Sequence, residues 1–145
     1  MSVENVELIK GILGAYEGPD LAAFWRDTDP ADMRAIFEAV YDPAIEIVWV
    51  DTSPDSGPFH GIDEAMRAFE EWLASVDEFF MTTTEFLDAG DEVVVTAVTP
   101  GRGKGSGAQV EMTVYWVIAV NDGKIARLHE YSTKAGALEA AGLQE

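Results

Sequence analysis

Four segments in the second half of this chain, 79–88, 92–99, 108–120 and 124–132, are rich in Val, Thr, Ile and aromatic residues, and short turn signals separate them: Ala89-Gly90-Asp91, a glycine-rich stretch, and Asn121-Asp122-Gly123. Such runs in series are consecutive hairpins, so this half must build an antiparallel sheet. The first half keeps a different period. Val6, Ile9, Leu13 and Tyr16 recur at helical spacing over residues 3–17, up to the Gly18-Pro19 break. A short helix with Leu21, Phe24 and Trp25 follows. Asp29 then caps a helix with Pro30 at its first position and a stripe of Met33, Ile36, Phe37, Val40 and Tyr41, which stops at Asp42-Pro43. A strand from Ile45 to Asp51 separates it from a helix over 62–76 that buries Ile62, Ala65, Met66, Phe69, Leu73 and Val76. The expected class is α+β, with helices packed on one face of a strongly curved antiparallel sheet in a single domain, 1–145.

Charge excludes several partners. The chain carries 27 acidic residues against nine Lys and Arg, for a formal charge of −18. That balance repels a phosphate backbone and an anionic membrane surface, so neither nucleic acid nor membrane is an expected partner. The N-terminal MSVENVELIK lacks the basic start and apolar centre of a signal peptide, and no cysteine is present, so a cytoplasmic protein is expected. The stretch TPGRGKGSG, residues 99–107, concentrates four glycines and two cations. A phosphate loop needs a following helix N-terminus; here a strand follows, so the stretch reads as a flexible hairpin connection with Arg102 and Lys104 at its tip.

Alternation sorts the strand residues by face. Val110, Met112, Val114, Trp116, Ile118 and Val120 make one apolar face directed at the helices. In the last strand Ala126 and Leu128 share a face with Glu130, while Arg127, His129 and Tyr131 share the other. In the first strand Ile45, Ile47 and Trp49 share a face with Asp51. Two carboxylates therefore finish apolar faces, and a carboxylate withdrawn from water has the raised pKa that suits a general acid or base. Asp51 and Glu130 are the catalytic candidates; each ends a strand, so each points either into a pocket or out into solvent. Trp49, Met112, Trp116 and Leu128 would wall a cavity at the open end of the sheet. No spacing matches a metal site, and none is expected. The outer face, with Thr113, Tyr115, Val117, Arg127, His129 and Tyr131, mixes apolar area with hydrogen-bonding groups and suits a homodimer contact.

The element order and the local wording FHGIDEAMRAFEEWLASVDEFF, FLDAGDEVVV, NDGKIARLHEY and ALEAAGL resemble the SnoaL-like branch of the nuclear transport factor 2-like superfamily over nearly the whole chain. The resemblance implies a cone-shaped barrel. It also implies relatives as different as ketosteroid isomerases, polyketide cyclases and epoxide hydrolases, besides proteins that only bind or assemble. By this resemblance, Asp51 lies near the isomerases' proton-shuttling aspartate, and Glu130 in LHEY falls where polyketide cyclases and limonene-type epoxide hydrolases carry an acid. Trp116 stands where the isomerases keep an oxyanion-stabilising acid, and a tryptophan donates only one N–H. VVVTAVT lacks the Arg and Asp that epoxide hydrolases use to hold a water. Tyr16 is a further donor on the first helix. The implied function is cofactor-free binding of a small hydrophobic, carbonyl- or ring-bearing molecule by a homodimer. As an enzyme the protein would transfer a proton through Glu130 or Asp51 while Trp116 or a tyrosine donates to the developing oxyanion; as a non-catalytic module it would hold a ligand or assemble.

Overall fold

The computed structural model describes residues 2–143. Helix α1 (Ser2–Gly14) leads to α2 (Leu21–Asp27) and α3 (Pro30–Val40). Asp20 caps α2 by accepting from Ala22 N and Ala23 N, and the same carboxylate oxygen accepts from Phe79 N at 3.0 Å, tying the helix to the sheet. Asp29 caps α3 through Ala31 N, with Pro30 at the first position as its fixed φ favours. Strand β1 (Tyr41–Trp49) follows at once, so Tyr41 opens a strand instead of closing the helix. Strand β2 (Phe59–His60) and helix α4 (Gly61–Leu73) come next.

The remaining strands are β3 (Val76–Phe79), β4 (Thr82–Asp88), β5 (Glu92–Gly103), β6 (Gln109–Asn121) and β7 (Lys124–Tyr131), closed by helix α5 (Lys134–Ala140). They form one seven-stranded sheet in the order β2-β1-β7-β6-β5-β3, with β4 also on β5. The curved α+β sheet expected from the hairpin series is present. One pairing departs from the antiparallel pattern: β1 runs parallel to β7, because the whole segment from α4 to β6 intervenes and brings the chain back on the same heading.

Three local readings change. The strand read over 79–88 is Thr82–Asp88, and a separate strand, Val76–Phe79, precedes it, beginning where the helix expected over 62–76 has already ended at Leu73; both are antiparallel to β5, with β3 on its second half and β4 on its first. The glycine stretch is strand as far as Gly103, and Arg102 pairs with Glu78 across the β3–β5 ladder instead of standing at a loop tip. Gly101 allows this, since a Cβ there would meet the Glu78 carbonyl oxygen at 2.7 Å. Val110, expected on the face directed at the helices, lies exposed, paired with Gly101 at the far end of β5.

The main core holds Ile9, Ile45, Ile47, Val93, Val95, Ile118 and Ile125 between helices and sheet. A register shift at Ala119/Val120 makes Ala126 the extra residue of a bulge, so Ile125 joins Leu128 on the inner face where strict alternation placed Ala126. A second cluster, Val94, Val117, Ala137 and Leu138, lies on the outer face, where α5 folds across the strands. Val117, expected on an open subunit-contact face, is thus buried under the chain's own last helix. His129 pairs with Glu46 at 2.7 Å on the same outer face. No helix among the described residues is long and apolar enough to cross a membrane.

Candidate functional site

Register decides where Glu130 goes. It pairs with Trp49 of β1 on one side and Trp116 of β6 on the other, so a single carboxylate stands between two tryptophans on the inner face of the sheet. Trp116 Nε1 donates to Glu130 Oε1 at 2.8 Å, and Thr52 Oγ1 donates to Oε2 at 2.5 Å. Burial pushes the Glu130 pKa up; the bonds from Thr52 and Trp116 stabilise the carboxylate and oppose that push, and the nearby Asp51 charge adds to it. The balance is a carboxyl above the ordinary glutamate range.

The carboxyl lines a cavity of about 430 Å³ between helices and sheet. Its wall is a run of aromatic contacts: Trp25 edge-on to Phe37 at 5.7 Å, Phe37 to Phe69 at 5.5 Å, and Phe69 to Trp49 at 5.7 Å between ring centres. Such a wall excludes water and strengthens any charge interaction within it. Tyr16, Trp49, Met112, Trp116 and Leu128 all line this space. Tyr16 follows the end of α1, where Glu17 Oε1 accepts from the Thr83 hydroxyl at 2.9 Å and fixes the turn.

Asp51 is placed elsewhere. Strand β1 ends at Trp49, and the chain turns through Val50 and Asp51, so the two-residue alternation that put Asp51 beside Trp49 no longer holds. The side chain is exposed and outside the cavity wall; its oxygens accept from Ser132 N at 2.8 Å and Ser132 Oγ at 2.6 Å. The same turn brings Thr52 inward, with Ser53, Pro54 and Asp55 on the cavity rim. Thr52 carries no signal in the sequence, because a residue one step past a strand has no period to betray its direction. Tyr41 was equally hidden, read as the last member of a helical stripe. It lies in the cavity wall, tilted against Phe37 at 5.2 Å.

Trp116 has one N–H, and that proton is committed to Glu130, so it does not at the same time serve an oxyanion on a ligand. Each Glu130 oxygen accepts one bond and keeps lone-pair capacity for a proton from a bound molecule. Among the described residues no group of His, Asp and Glu is arranged to hold a metal ion.

The family model of the SnoaL-like domain matches residues 20–128, which takes in Trp49, Asp51, Met112, Trp116 and Leu128 and stops just short of Glu130. No curated protein matches the chain in sequence. Solved structures share the fold. A nuclear transport factor 2-like protein from Burkholderia thailandensis superposes with a TM-score of 0.66 at 22% identity, over 96% of this chain and 97% of that one. TerC, co-crystallised with polyporic acid, gives 0.64 at 20% identity over 93% and 98%. A protein of ketosteroid isomerase-like fold from Catenulispora acidiphila, in complex with trimethylamine, gives 0.63 at 20% identity over 92% and 93%.

Proposed function

The chain belongs to the SnoaL-like domain family, and we propose that it binds a small hydrophobic, ring- or carbonyl-bearing molecule and moves a proton on it with Glu130, without a cofactor. The observation that carries this reading is the Glu130 carboxyl, held by Trp116 and Thr52 inside an aromatic-walled cavity. A buried carboxyl with spare lone pairs and a raised pKa is a base strong enough to take a proton from carbon beside a carbonyl, and an acid able to return it elsewhere on the ligand. Isomerisation and carbon–carbon ring closure draw on that step, whereas hydrolysis of a strained ring would have the same carboxyl take its proton from the attacking water. Trp116 orients the acid, and the oxygen on which negative charge develops needs another donor, for which Tyr16 stands in the wall.

The test is proton exchange. 2-Tetralone, an enolisable two-ring ketone, is incubated with the protein in D₂O and deuterium at the carbon beside the carbonyl is followed by NMR. The wild type should exchange faster than buffer, and Glu130→Gln should slow it by roughly 10²-fold, the scale of losing a general base. The second reading, a non-catalytic binding module, draws on the bonds that Thr52 and Trp116 make to Glu130, an arrangement that also serves structure alone. It holds if the ketone binds in the cavity and exchanges no faster than in buffer.

A homodimer belongs to the same proposal. Because α5 covers Val117, the contact would use the part of the outer face around the Arg127–Glu92 and His129–Glu46 pairs.

A further inference from the structure

Tyr41 carries its ring into the core packing and its hydroxyl to the cavity wall. Its ring packs at 5.2 Å from Phe37 and 6.2 Å from Phe69, and the residue is partly buried in the cavity wall. Its hydroxyl donates to no protein group among the described residues, and no buried side-chain polar atom there is sealed off without a partner, so the hydroxyl is accessible on a residue that lines the cavity. Tyr16 presents a second phenol to the same space, near enough to act on the ionisation of Tyr41. Burial raises both phenols, which keeps them protonated and therefore donors.

We propose that Tyr41, with Tyr16, forms a hydrogen-bond-donating subsite that takes a carbonyl oxygen of the bound molecule across Phe69 from Glu130. The inference rests on the cavity's being a ligand site and adds how the ligand lies in it. Phe69 stands between the poles, 6.2 Å from the Tyr41 ring and 5.7 Å from Trp49, and Trp49 is the register partner of Glu130. Phenol donors in an aromatic wall select an acceptor, because an apolar atom there leaves the hydroxyl unpaired and desolvated. At the other pole Glu130 accepts a proton or a hydrogen bond. The matching ligand is a flat apolar body with a carbonyl at the tyrosine end and an acidic hydrogen, on oxygen or activated carbon, at the glutamate end. Where a conjugated ring system joins the two ends, the charge left as Glu130 takes the proton reaches the carbonyl oxygen, and Tyr41 would touch substrate directly and stabilise it there.

Two probes separate the poles: 2-naphthol, with a hydroxyl for Glu130, and 6-hydroxy-2-naphthaldehyde, which adds a carbonyl for the tyrosines. Affinity is read by fluorescence titration, the bound aldehyde's carbonyl stretch by infrared spectroscopy, and folding by melting temperature. The wild type should bind the aldehyde about fivefold to tenfold tighter than 2-naphthol and lower its carbonyl frequency. Tyr41→Phe keeps the ring; it should abolish that advantage, return the frequency toward its value in apolar solvent and leave 2-naphthol affinity within about twofold. An aldehyde advantage and a carbonyl frequency unchanged in both Tyr41→Phe and Tyr16→Phe would overturn the subsite while leaving the Glu130 reading intact. Failure of both probes to bind the wild type would overturn the ligand-site reading itself, and the subsite with it.

Discussion

Glu130 takes its character from neighbours distant in sequence: Thr52, 78 positions away, and Trp116, 14 positions away, share its two oxygens. The sequence marked Glu130 by strand parity, and parity holds because β7 stays in register with β6 from Leu128 to Tyr131, past the bulge. Parity misled at Asp51, where the strand had already ended. One consequence concerns stability. With its folded pKa raised above the ordinary 4.5, Glu130 contributes stability below that value and loses it as pH climbs through the raised folded value. Glu130→Gln, which does not ionise, should therefore melt higher relative to wild type as pH rises from 4 through neutrality, with the difference levelling off above the folded pKa. A melting series across pH checks this, and a difference that shrinks with rising pH would contradict it. Thr52→Val removes a bond that favours the charged form, so it should move the same transition to higher pH. Trp116→Phe leaves Oε1 without its donor and should destabilise the protein by about 1–3 kcal/mol near neutral pH in chemical denaturation.

At the scale of elements, the strands were legible because Val, Thr and Ile runs between turn residues allow little else, and the helices because their stripes keep a 3.6-residue period. What escaped was set by contact between elements. The parallel β1–β7 pairing depends on which strand edge remains free once the hairpins form, and no local pattern encodes that. The packing of α5 on the outer face was equally hidden, since KAGALEA is too short for a clear stripe. Leu138, almost fully buried there, should cost about 2–5 kcal/mol on truncation to Ala in an unfolding titration. Two glycines make an internal contrast. Gly101→Ala forces a methyl against the Glu78 carbonyl and should destabilise by about 1–3 kcal/mol, whereas Gly11→Ala, in α1 with nothing within 4 Å of the new carbon, should stabilise by about 0.5–1 kcal/mol.

At the scale of the whole molecule, a chain with 27 acidic residues builds a cavity whose wall is mostly aromatic and aliphatic; of the three acids in its lining, Asp55 and Glu71 are exposed, so the proposed chemistry rests on Glu130. The formal net charge of −18 also opposes association of two copies, and salt screens it. Light scattering at micromolar protein should give twice the chain mass at about 0.15 M salt, with dissociation favoured near 0.01 M, where the repulsion reaches about 30 Å before it is screened. A monomer at both would remove the dimer from the account. The direct test of the central claim is a ¹³C NMR titration of all the glutamate side-chain carboxyls together, in wild type and in Glu130→Gln. One carboxyl should titrate above the ordinary 4.5, vanish from the spectrum of the variant, and shift again when 2-tetralone is added. A Glu130 resonance that titrates with the surface carboxylates, unmoved by the ketone, would contradict the claim that this cavity holds a poised acid.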